Sequence, residues 1–133
     1  MTSNEINHED WKEIRARVDS IANGVFLIAG GALTLSITAV IGFRQNGVAL
    51  SGDSTNIITD AWHYLLVAML VFLTLKCYLV LVSMLRGWLP TVLFNRINPG
   101  FNAFGLVGGI AGLVYFIIGM IQIVNGAVSI VNA

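Results

Sequence analysis

FNAFGLVGGIAGLVYFIIGMIQIVNGAVSIV, residues 101–131, decides the fold class, because no charged residue interrupts it. A helix needs ~20 residues to cross the ~30 Å hydrocarbon core of a bilayer. This stretch exceeds that length, so it must tilt or project beyond the lipid. Only helices and closed barrels satisfy every backbone group in lipid. The stretch shows no strict alternation and is far longer than a barrel strand of ~9–11 residues, so it reads as a helix.

Two further segments read the same way, at about 21–43 and 61–85. The 133-residue chain is 56% hydrophobic and 11% charged, with a mean hydropathy of +0.82. A soluble domain carries roughly 25% charged residues, and seven acids with seven bases cannot cover a surface of this size. The expectation is an all-α membrane protein with a single transmembrane domain, 21–133, of three helices. A polar segment, 1–20, precedes it as a short amphipathic N-terminal helix. Asn7 is its expected cap, with Glu9 and Asp10 in the first turn. Ile6, Trp11, Ile14, Val18 and Ile21 form one narrow apolar stripe against a charged face. That pattern suits the membrane interface, with Trp11 as an anchor. The acidic start and the long apolar stretch behind it do not fit a signal peptide.

The bases set the expected orientation. Lys12, Arg15, Arg17, Arg86 and Arg96 fall on one side of three spans and Arg44 on the other. Five against one puts the N-terminus and the second loop in the cytoplasm and the C-terminus outside. Trp62, Tyr64 and Trp88 then occupy interfacial positions. The first loop, 45–59, reads as a solvated turn region. The second, RGWLPTVLFNRINPG at 86–100, carries Pro90 and Asn98-Pro99-Gly100, which are expected to stop both flanking helices.

Gly105, Gly112, Gly119 and Gly126 recur at intervals of seven. Glycines in heptad register mark one face of a helix that wraps around a neighbour. Gly105/Gly109 and Gly108/Gly112 add two GxxxG pairs, and missing side chains let backbones approach closely. This face is expected to be a helix-packing and oligomer interface. Gly24, Gly30, Gly31, Ala32 and Ser36 give the first span a smaller version.

Lys76 is the outstanding polar residue. It lies ten residues from Arg86, ~15 Å into the span. A charge there costs ~2.5–3.5 kcal/mol on insertion scales. No acid within the spans is deep enough to pair with it, since Asp60 is near the opposite end. Three readings follow: snorkelling or a lipid-phosphate contact, a water-filled lumen, or an acid supplied by a partner. Lys76, Arg86 and Arg96 are the candidate lipid-phosphate or lumen residues. Asp60 and His63 share a face near the other end and read as a hydrogen-bonded anchor. Gln122 and Asn125 are expected to bond across helices.

Zero formal net charge and no basic cluster argue against sequence-specific nucleic-acid binding. The single cysteine, Cys77, excludes an intrachain disulfide and reads as a small hydrophobe. No GxSxG, GxxxxGK[ST] or HExxH occurs. Neither a catalytic nor a metal site is expected, and no cofactor beyond bound phospholipid.

From about Ser54 onward, the span with Lys76, the loop with Arg86 and Arg96, and the last span with its glycine heptad resemble the hydrophobic pilins of conjugative, type IV secretion systems. The resemblance implies homopolymerisation, with basic residues near a lumen or bound phospholipid. Small membrane subunits of such machines fit the pattern equally. The chain departs from the pilins in its extra N-terminal span and in having no cleavable leader. The function expected is a homo-oligomerising structural subunit of a pore, ring or filament, in a bacterial inner membrane. Its expected partners are lipids, copies of itself and other membrane subunits. The alternatives are an accessory subunit of a larger respiratory or transport complex, and a holin-like lysis pore.

Overall fold

The computed structural model describes the backbone of residues 3–132, and within the first helix the side chains of Asp10 and of Lys12 onward. The chain forms three helices: α1 (Ser3–Gln45), α2 (Gly52–Trp88) and α3 (Thr91–Val131). At 43, 37 and 41 residues they measure roughly 65, 55 and 60 Å at ~1.5 Å per residue. Each is long and apolar enough to cross a membrane, and each overshoots the ~40–45 Å of a bilayer with its headgroups.

Three expectations about boundaries are corrected. The short amphipathic helix is not a separate element; it continues into the first span as one helix. No proline interrupts residues 3–45, and Asn7 lies inside the helix rather than capping it. The side chains of Asn7, His8, Glu9 and Trp11 lie outside the described residues. Secondly, α2 starts nine residues before the expected span. Ser51 caps it, its hydroxyl accepting from the Ser54 amide at 3.2 Å, with Asp53 in the first turn. Thirdly, the second loop is reduced to Leu89 and Pro90. Both take extended backbone angles, as proline requires of its predecessor. Pro99 sits within α3. Its missing N–H removes one helical bond without ending the helix, a defect membrane helices tolerate.

The first connection is equally tight. Gly47 takes φ +73°, the left-handed geometry that glycine adopts without a Cβ penalty. Its amide donates to the Arg44 carbonyl at 3.2 Å, and that of Val48 to the Phe43 carbonyl at 3.0 Å. This pair of bonds is the Schellman arrangement, and it closes the carbonyl end of α1.

With such short connections the helices stack antiparallel, and the α2–α3 contact is the most extensive. The buried residues of α2 are Ser54, Ile58, Ala61, Leu65, Ala68, Phe72, Leu75 and Val82. Their spacing alternates four and three from Ser54 to Leu75 and then steps seven to Val82, a heptad seam. Ile58, Leu65 and Phe72 fall seven apart, and each rests on a glycine of α3 that is also seven from the next. A Cβ added at Gly126 would lie 2.8 Å from Ile58 Cγ1, at Gly119 2.8 Å from Leu65 Cδ2, and at Gly112 3.0 Å from Phe72 Cε2. α1 packs mainly on α2, through Ala22, Val25 and Ala29. Ala22 and Val25 meet Phe72 and Leu75 in the central cluster, with Phe116 of α3 against it.

Candidate functional site

The cross-helix contacts fix the levels of the bundle. Ser54 and Ser129 hydroxyls meet at 2.8 Å near one end. Trp62 Nε1 donates to Ser36 Oγ at 2.7 Å. Arg15 donates to Ser83 Oγ at 3.0 Å towards the other end, where Arg86 and Arg96 also lie; this is the basic end. Ala68 is midway between Ser54 and Ser83 along α2. With the hydrocarbon centred there, Lys76 lies roughly 12 Å from the centre, just inside the edge of a ~30 Å core.

Lys76 is paired within its own chain, which corrects the expectation that no acid could reach it. Its Nζ lies 2.9 Å from Asp19 Oδ1 and donates to Asn23 Oδ1. Asn23 is one turn along α1 from Asp19, and its amide donates to Asp19 Oδ2 at 3.5 Å. The Phe26 ring, a further turn on, has its centroid 5.8 Å from the ammonium, within cation–π range. The physical reason is the continuity of α1. A separate interfacial helix would carry Asp19 away, whereas one straight helix lays it beside Lys76. The lysine therefore sits level with Asp19 and Asn23.

This arrangement neutralises a costly charge and links α1 to α2. It does not gather the three basic candidates. Arg86 is ~15 Å along α2 from Lys76 and places its guanidinium 5.8 Å from the centroid of buried Phe94 on α3. Arg96 is exposed on α3.

Beside the ion pair, on the other flank of α1, lies an apolar groove of about 510 Å³. α1 contributes Ile14, Val18 and Ile21, the expected apolar stripe; α2 contributes Val82, and α3 contributes Gly105 and Gly109. The glycines leave this side of α3 without bulk. A Cβ at Gly105 would meet only Tyr78 Cε1 at 3.9 Å, and one at Gly109 only Leu75 Cδ2 at 4.0 Å, both ordinary contacts. Gly108 is closer packed, its Cβ position lying 3.5 Å from Leu75 Cδ1. Tyr78 closes the groove floor, its hydroxyl donating to the Phe101 carbonyl at 2.9 Å.

The remaining polar candidates behave as local structure. His63 Nδ1 is 2.8 Å from the Thr59 carbonyl of its own helix, not on Asp60. Among the described residues, Ser54–Ser129 and Tyr78–Phe101 make the polar bonds between α2 and α3, rather than Gln122 or Asn125. No three of the described His, Cys, Asp or Glu residues come together as metal ligands. Asp19 and Asn23 are the site residues that sequence reasoning missed. Their i, i+4 spacing at the boundary of the first span was the available signal. Comparison of the chain with protein-family models, curated proteins and solved structures finds no match.

Proposed function

We propose that this chain is a homo-oligomerising membrane scaffold, a subunit of a pore, ring or filament. The observation that carries the reading is the small-residue face of α1. A Cβ added at Gly24, Gly30 or Gly31 would meet nothing within 4 Å. Thr34 and Thr38 on the same exposed side return their hydroxyls to the Gly30 and Thr34 carbonyls, so they offer methyl groups outward. Gly24, Gly31 and Thr38 are seven apart, the register of a helix-on-helix seam. Gly112, Gly119 and Gly126 of the α3 heptad are occupied by α2 of the same subunit, so this reading assigns the contact between subunits to α1.

The pairing of Lys76 with Asp19 weighs against a hetero-complex, whose main attraction was a partner's acid for that lysine. We further propose a bacterial inner membrane with the basic end cytoplasmic, on the five-to-one distribution of bases. A role in a conjugation or secretion apparatus rests on the pilin-like pattern alone. Mass measurement of the particle purified in mild detergent tests the reading. A homo-oligomer is expected, and Gly31→Leu should shift it towards monomer while Ile117→Leu on α3 should not. A wild-type monomer, or equal particles in both variants, would overturn it.

A further inference from the structure

We propose that the groove between α1 and α3 holds one acyl chain of a bilayer phospholipid, with its phosphate against Arg86. The inference rests on the membrane reading of the chain but not on oligomerisation. The groove wall on α2 runs from Phe72 to Val82 and that on α3 from Phe101 to Leu113, ~15 and ~18 Å along the helices. Half of a ~30 Å hydrocarbon core is ~15 Å, so the groove matches the acyl length of one leaflet. Its lining side chains are apolar except for Asn102 and the Tyr78 hydroxyl, which is bound to the Phe101 carbonyl.

Charge at that end fits a phosphate. Arg86 follows Val82 by one turn on the same face of α2. Arg15, one turn from Asp19, bonds Ser83 on the ion-pair flank and leaves Arg86 as the cation at the groove's outer end. The nearest acids of α1 do not oppose an anion, because Glu13 is bound by Arg17 and Asp19 by Lys76. Asp10, the next acid, lies a further turn out. A phosphate on Arg86 would sit at the outer mouth of the groove while the chain follows Val18, Val82 and the glycines inward.

Gly109→Leu separates this site from the fold, since the groove has room for the side chain and no neighbour must move for its Cβ. Native mass spectrometry of the full chain from mild detergent should show one retained phospholipid per subunit. Delipidated protein should recover it from added dioleoylphosphatidylglycerol. Gly109→Leu and Val18→Trp, two independent ways of filling the groove, should each weaken retention by at least about tenfold with unchanged helix content. Arg86→Gln should weaken it less. Gly31→Leu, which tests the oligomer, should keep the lipid. Wild type without lipid, or equal retention in both groove-filling variants, would overturn the proposal. So would displacement by inorganic phosphate alone, which would indicate an anion site without an acyl chain. A lipid-free wild-type dimer lost on Gly109→Leu would also overturn it, assigning the groove to a second copy.

Discussion

At Lys76 the bundle carries an ammonium just inside the apolar layer, and its neighbours decide what that costs. Removing one partner of an ion pair at that depth leaves the other charge uncompensated. Lys76→Met alone strands Asp19, and Asp19→Asn alone strands Lys76. Each single variant should lower the thermal midpoint of the detergent-solubilised protein. The double variant should recover part of the loss. Strictly additive losses would mean that the pair contributes nothing. Glycines give a second contrast. A methyl at Gly119 would meet Leu65 Cγ at 2.9 Å and the Leu65 backbone nitrogen at 3.1 Å, and backbone cannot move aside cheaply. Gly119→Ala should destabilise by about 1–3 kcal/mol. Gly87, in the last turn of α2, has nothing within 4 Å. There Gly87→Ala should be neutral or stabilising by up to ~1 kcal/mol, from helix propensity. Unfolding in detergent checks both, and the same sign at both positions would contradict the packing described.

The helices themselves were readable as hydrophobic runs, and their C-terminal ends fell within three residues of the runs; their starts were not readable. Apolar composition marks where a helix meets lipid or protein. Ser51 marks where the backbone of α2 starts, ten residues before its apolar run. Pro99 misled for a related reason. The loss of one hydrogen bond looks decisive in an isolated helix and is tolerated in a packed membrane bundle. The heptad of α3 was visible because glycine is distinctive. The matching heptad of α2 was hidden because Ile58, Leu65 and Phe72 stand among many equally apolar neighbours. Continuity of α1 matters most, since it delivers Asp19 to Lys76. Ser20→Pro would remove a helical bond and add a clash one residue from Asp19, at a cost of ~3 kcal/mol or more. Distances between spin labels at positions 12 and 83 should lengthen in that variant; an unchanged distance would mean that the two halves of α1 are held independently.

Over the whole molecule, the tight α2–α3 hairpin and the lighter contact of α1 leave two unfilled features on α1: the groove on one side and the open small-residue face on the other. Sequence reasoning found both glycine sets and expected the α3 set to serve helix packing and oligomer contact together, because an intramolecular seam and a subunit seam have the same spacing. Two residues between α2 and α3 force them to pair, which places Gly112, Gly119 and Gly126 against α2 of the same chain. The proposed subunit contact therefore uses the glycines of α1. The proposed orientation is checked with cysteines introduced separately at Asn46 and Arg96 in a Cys77→Ser background. An impermeant thiol reagent on intact cells should label position 46 and spare position 96, and the reverse would invert the topology. The central claim, that subunits meet through α1, is tested most directly by disulfide cross-linking in native membranes. Gly31→Cys in the Cys77→Ser background should yield covalent dimers, and Ile117→Cys on the exposed side of α3 should not. Dimers through position 117 with none through position 31 would contradict the account.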